Sequence, residues 1–482
     1  METFSQKLCY FAFGVRIPLF LQYIIPSIIL FYPINKILKS NWSRIILVSI
    51  PFIFYFIRLL RNDPFFFSDD FTHFYLVSNF SYLDILNMAM SPQGIWVGHK
   101  IIFGFYAFKL FFDLFGTNPI PYYWLMFFIN LGNGILFYFL ANKIILNKKI
   151  AALIAFVFGF FYITWLSNIH EVLALMFMLG MFICFLIWSK KFDIKPFLCS
   201  VVLYILAIFT KEIAFLAVPV MFLITIAIRR DIKKNFKYLF IFFIIFVLYS
   251  LFYARGFTSY FGKPHEDGYT MLFSFPLILQ NLKIYLNQIF PAVSEKLLIP
   301  FVFIIFVIFD LISKKLKSLP FLASYIIFLF PALLFLNRTS TYYNYIPLVF
   351  LLIGFGIIIE GILKAITFIK SSIQKRIAIV TVLIFSVFGL FGLNLKAMDS
   401  CFLIKYPWKN DFKNRYLELI NNIDNLGKEG KLKKGLEIKL IPGLEYSWVS
   451  MENDILRVFL KNAVSKLYTY SYNFEKGVFI VQ

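Results

Sequence analysis

The feature that most constrains this chain is a recurrence of long apolar runs, separated by short turns that alternate between basic and nearly uncharged. A bilayer-spanning helix needs roughly 20 predominantly apolar residues, with a lower limit near ~17. Segments that meet or approach this length fall near 43–60, 121–142, 150–166, 169–188, 196–210, 212–228, 238–254, 298–313, 319–337, 345–363 and 377–394. The stretch 17–33 is a twelfth span or a segment lying on the cytoplasmic surface, because it ends without the small-residue cleavage site of a signal peptide. With 61% hydrophobic and 21% aromatic residues, the chain carries more apolar surface than a water-soluble domain could cover. An all-α polytopic membrane protein is the expected class.

The basic turns set the sidedness. Lys143, Lys148 and Lys149, then Lys190, Lys191 and Lys195, then Arg229, Arg230, Lys233, Lys234 and Lys237, then Lys314, Lys315 and Lys317, then Lys364, Lys370, Lys375 and Arg376 occupy every second connection. Cytoplasmic loops collect Lys and Arg, so all five belong inside, together with Lys36, Lys39 and Arg44. The same clustering accounts for the net charge of +22, which in a soluble chain would suggest nucleic acid and here does not. The expected organisation is an N-terminal segment 1–42, a transmembrane domain 43–394 with outer loops at 61–120 and 255–297, and an outer tail 395–482. In that tail a helical pattern at 410–425 precedes strand-like stretches at Leu436–Ile441 and Leu467–Tyr472, which predicts a small extracytoplasmic α/β domain. Ile101–Phe115 is apolar but short, and contains Lys109 and Asp113; it reads as an interfacial helix. Cys9, Cys184, Cys199 and Cys401 show neither metal spacing nor a disulfide framework.

Chemistry-bearing residues gather on the outer side. Phe67-Ser68-Asp69-Asp70-Phe71-Thr72-His73 follows the first span; its acids supply a general base, hold a divalent cation, or simply cap the next helix. The topology places His73, His99, His170 and His265 outside, with Glu171, Lys211, Glu212 and Arg338. Lys211-Glu212 lies between two apolar spans, where an ionic pair at the membrane edge is costly unless partnered: it anchors two helix ends or binds a phosphate. Arg338 opens the donor-rich turn Arg338-Thr339-Ser340-Thr341-Tyr342-Tyr343-Asn344-Tyr345, and a guanidinium matches phosphate geometry well; the tyrosines by themselves read as an aromatic belt. His265-Glu266-Asp267 reads as solvated loop. The span middles carry almost no ionisable groups, whereas ion-coupled transporters place such groups near the midplane; Asp310 and Glu360 sit toward cytoplasmic ends.

Several motifs, taken in order, carry a resemblance. They are the acidic pair Asp69-Asp70, the helix ending in Phe115-Gly116-Thr117-Asn118-Pro119, the run Trp165-Leu166-Ser167-Asn168-Ile169-His170-Glu171, the triplet Thr210-Lys211-Glu212, and Arg338 with Tyr342-Tyr343-Asn344-Tyr345-Ile346-Pro347. Over about 43–395 the chain resembles the GT-C membrane glycosyltransferases, most of all the protein O-mannosyltransferase and TMTC-like branch with its bacterial relatives. Asp70 stands where that family often has Glu. The resemblance implies transfer of a hexose or related sugar from a polyprenyl-phosphate donor to a glycan, lipid or protein acceptor on the outer face of a bacterial inner membrane. It further implies Asp69 or Asp70 as catalytic base, Lys211 and Arg338 on the donor phosphate, and His73, His99, His170, Glu171, Glu212 and Tyr342 as substrate-orienting groups. A divalent metal belongs to some branches only, and no other cofactor is implied. The competing readings are a flippase or exporter of a lipid-linked saccharide, and a non-catalytic membrane partner with the same fold.

Overall fold

The computed structural model describes residues 40–61, 66, 69–91, 101–161, 163, 165–228, 232–257, 270–290, 297–336, 339–366, 407–439, 459–460, 470–473 and 478–481. The expected segments 17–33 and 377–394, Cys9, Cys401, His99, Arg338 and His265-Glu266-Asp267 lie outside the described residues. The first part of the described chain is α1 (Asn41–Arg61), α2 (Asp69–Asn79), α3 (Tyr82–Met90), α4 (Phe103–Phe115), α5 (Pro119–Ile144), α6 (Lys148–Phe158), α7 (Ile169–Lys191) and α8 (Ile194–Ile208). There follow α9 (Ala217–Ala227), α10 (Ile232–Phe257), α11 (Phe275–Ile289), α12 (Leu298–Ser313), α13 (Leu319–Leu333), α14 (Tyr345–Ile366) and α15 (Pro407–Lys428). Among the described residues, three stretches are long and apolar enough to cross a membrane: Pro119–Ile144, Leu166–Lys190 and Thr341–Ile366. Asn41–Ile57, Ile194–Ile208, Glu212–Ala227, Lys237–Tyr253, Leu298–Ser313 and Leu319–Leu333 are shorter apolar helices. The segment near 150–166 keeps only α6 and a 3-10 turn at Gly159–Phe161, short of a span on its own.

Helix starts are encoded in the turns. Asn118 accepts from Ile120 N with Pro119 in the first turn of α5, Asn147 caps α6, and Asp193 caps α8. Ser81 and Asp84 form a reciprocal capping box on α3. The start of α13 is capped from outside its own sequence: the buried Asp310 of α12 accepts from the backbone N–H groups of Lys317, Ser318 and Leu319 at 2.9–3.1 Å and from Ser318 Oγ at 2.9 Å. That carboxylate folds the α12–α13 turn onto itself, so the sequence reading of Asp310 as an end residue acquires a structural role.

Packing centres on α7, which lies against α5 and α8, while α14 lies against α13 and α6. Close approach needs small residues: a Cβ on Gly134 of α5 would run into the Phe52 ring of α1. Inside the bundle, Tyr345 Oη donates to Asn130 Oδ1 at 2.8 Å and Asn133 Nδ2 donates to Val172 O at 2.7 Å, so α5, α7 and α14 are cross-linked by hydrogen bonds. Interhelical bonds of this kind contribute about 0.6 kcal/mol each on average in a membrane.

At the site end of the bundle, the loop after α10 contains α11, whose residues Leu282, Tyr285, Leu286 and Ile289 are buried. Leu272 N donates to Leu334 O and Leu336 N to Thr270 O, tying the residues that lead into α11 to the strand-like exit of α13. The tail elements are α15 and an antiparallel sheet of β1 (Glu437–Lys439), β2 (Tyr470–Asn473) and β3 (Val478–Val481), in the order β1-β3-β2. Phe459 contacts Tyr416 of α15 at 5.7 Å between ring centres, and also Phe66 and Phe74 at 6.0 and 5.4 Å. The tail therefore packs onto the segment that leads into α2.

Candidate functional site

The site assembles where α2 meets the entry of α7. Asp70, in the first turn of α2, is 1% exposed, and its Oδ1 accepts from both the backbone N–H of Ser167 at 2.7 Å and the Ser167 hydroxyl at 2.5 Å. Ser167 lies in the 3-10 turn Leu166–Asn168 that runs into α7, so Asp70 caps a helix start that belongs to another part of the chain. One turn further along both segments, His73 Nε2 lies 3.0 Å from His170 Nε2. One of the two nitrogens donates and the other accepts, so the facing nitrogens share a single proton. Both rings are buried, and Phe105 of α4 packs against each, at 4.9 Å from His73 and 4.8 Å from His170. Gly104 sits against His170 so closely that a Cβ there would overlap the imidazole.

The next residue, Glu171, pairs with Lys211 Nζ at 2.9 Å; the side chains are 8% and 21% exposed. Burial alone would lower the ammonium pKa, but the carboxylates of Glu171 and Glu212 act in the opposite direction and hold it above its ordinary value. The turn that carries Lys211 is fixed by Lys211 N donating to Ala207 O at 2.9 Å. Phe209 O, two residues earlier, accepts from Ile102 N at 2.7 Å, and this fastens α4 to the same turn. Tyr342 completes the group: it interacts electrostatically with Lys211, and its ring lies 6.1 Å from that of Trp165.

Asp70 and His73 of α2 thus meet Ser167 and His170, Glu171 pairs with Lys211, and Glu212 and Tyr342 lie within electrostatic reach of Lys211, four separated stretches of sequence in all. Asp69 begins α2, with its side chain outside the described residues, as are His99 and Arg338. Sequence reasoning gave no role to Ser167, Gly104 or Phe105. A signal for Ser167 exists: Asp70-Phe71-Thr72-His73 and Ser167-Asn168-Ile169-His170 share one spacing, so two helical segments laid side by side meet twice, acid on hydroxyl and imidazole on imidazole. For Lys211 the sequence left open an ion pair anchoring two helix ends or a bound phosphate; the structure pairs Lys211 with Glu171 at the start of α7.

Among the described residues no three His, Cys, Asp or Glu side chains come together as a metal-holding group. No family model matches this chain, and no curated protein matches it.

Proposed function

We propose that this chain is a multi-pass membrane glycosyltransferase of the GT-C type, with a small outer α/β domain, working on the outer face of a bacterial inner membrane. It takes a sugar from a polyprenyl-phosphate donor and gives it to a glycan, lipid or protein acceptor. The observation that carries the reading is the convergence of Asp70, the two histidines and the Glu171–Lys211 pair at one end of an apolar helical bundle, the end that the charge pattern puts outside. Ionisable groups perturbed by burial and by a specific charge partner are candidates for a functional site, and at a membrane edge such groups are costly unless used.

Asp70 is committed to Ser167 and nearly closed to solvent, which moves the role of base to Asp69, its neighbour on the first turn of α2. In the reaction Asp69 takes the proton of the acceptor hydroxyl as that oxygen bonds to the anomeric carbon. The bond from that carbon to the phosphate oxygen breaks, and the phosphate leaves with the electron pair. Lys211 has three N–H donors, of which Glu171 takes one among the described residues; the others are assigned to a phosphate oxygen, with Arg338 as the second cation there. His73 and His170 hold α2 against α7 and so fix where Asp69 stands.

The test is transfer of labelled sugar from a panel of polyprenyl-phosphate sugars in membranes that hold equal amounts of wild type, Asp69→Asn or Asp70→Asn. Wild type transfers sugar, and Asp69→Asn binds donor yet does not transfer, while Asp70→Asn loses stability along with rate. If no donor is consumed and labelled lipid crosses the bilayer in a protein-dependent way, the chain is a flippase and the transferase reading fails.

A further inference from the structure

Cys184 of α7 and Cys199 of α8 sit with their sulfurs 3.6 Å apart, both as free thiols. Fifteen positions separate them in sequence, so no spacing rule pairs them; the α7–α8 turn does, with Phe192 in left-handed backbone at φ 56° and Asp193 capping α8. Two further contacts fix the same register. Ser200 Oγ donates to Met181 O at 2.9 Å, and a Cβ on Gly180 would stand 3.1 Å from Leu203 Cδ1, one turn further from the turn than the cysteines. The helices are therefore held at close approach along the face on which both thiols lie.

We propose that Cys184 and Cys199 are a dithiol modification site that closes to an intrachain disulfide when a lipid-soluble two-electron oxidant of the quinone class reaches it. A disulfide requires sulfurs ~2.05 Å apart on Cβ atoms roughly 3.5–4.5 Å apart, and side-chain rotation on a fixed hairpin covers the remaining gap. In the reaction both S–H bonds break and one S–S bond forms. Two electrons and two protons pass to the quinone oxygens, giving the hydroquinone. The class of oxidant follows from the surroundings: Cys199 is exposed on a face of α8 that also exposes Ile194, Leu198, Val202 and Ile205, so the solvent at this sulfur is hydrocarbon. A polar oxidant does not dissolve there. The hairpin that the bond would lock carries Glu171 at the far end of α7 and leads into Lys211 beyond α8.

The experiment uses the full chain in native membranes with Cys9→Ser and Cys401→Ser, leaving two thiols to count. The membranes are treated with a short-chain benzoquinone, denatured, and labelled with a maleimide of high mass. The expected result is loss of both labels, their return after reduction, and a 184–199 linked peptide by mass spectrometry, with one label retained in the further variant Cys184→Ser. Two retained labels under conditions that oxidise a membrane-embedded control dithiol would overturn the proposal, as would a disulfide-linked dimer in place of the intrachain bond. The outcome does not depend on transferase activity.

Discussion

Gly104→Ala places a methyl group where the His170 imidazole already stands, and the consequences can be worked out in advance. Helix propensity alone favours alanine by about 0.5–1 kcal/mol in a helix interior, less in a first turn. Against that, inserting a methyl into a filled space costs roughly 1–3 kcal/mol. If the ring yields, the His73–His170 bond at 3.0 Å breaks and leaves a buried imidazole nitrogen without its partner, again about 1–3 kcal/mol. The variant is expected to be less stable by about 1–4 kcal/mol, against the sign that propensity predicts. The assay is thermal unfolding of the purified protein in nanodiscs, carried out as a double-mutant cycle with His170→Ala. Removing the imidazole makes room, so Gly104→Ala should then cost less than about 0.5 kcal/mol, the usual limit for independent sites. An equal cost with and without the imidazole would refute the reasoning, because the methyl would then be clashing with something other than the histidine.

Three other expectations follow from the same contacts. Asp310→Ala removes the acceptor of three backbone donors at the α12–α13 turn and should cost about 1–3 kcal/mol in thermal unfolding, with Asp310→Asn in between. Phe459→Ala removes ring contacts to Phe66, Phe74 and Tyr416 worth about 0.5–1.5 kcal/mol each; hydrogen exchange should rise in both α2 and α15 and stay unchanged in α7. The Lys211 ammonium is held above its ordinary value, so the stability it contributes is complete below about pH 10.4 and is lost only as pH rises through the higher folded value. Unfolding midpoints of wild type and Lys211→Met should thus differ by a constant amount from about pH 7 to pH 9 and converge in stronger alkali.

Where the sequence carries its own periodicity, the reading and the structure agree. A helix expected at 101–115 is present as α4, Phe103–Phe115, and the helix expected at 410–425 is α15, Pro407–Lys428. The strand expected at 467–472 appears as β2, Tyr470–Asn473, whereas β3 drew no expectation. The loop expected at 255–297 hid α11 because Gln280, Asn281 and Lys283 interrupt its apolar residues; the buried positions 282, 285, 286 and 289 form a stripe, not a run. At the site, the identities of Asp70, His73, His170, Glu171 and Lys211 were legible from sidedness and chemistry. Their partners were not, because each bond joins residues tens of positions apart; the spacing that Asp70–His73 shares with Ser167–His170 gains a meaning only once the two segments lie side by side.

The contact between Phe459 and Phe66 also has a meaning in time. A chain made from its N-terminus presents Phe66 nearly four hundred residues before Phe459 exists, so the aromatic cluster at the entry to α2 stays open through most of synthesis. Contacts that distant close late in folding. Until then Phe66 and Phe74 have each other, Phe108 and Tyr122 as neighbours but lack the Phe459 ring on their remaining side. A segment made long after α2 thereby supplies the last aromatic contact at its entry.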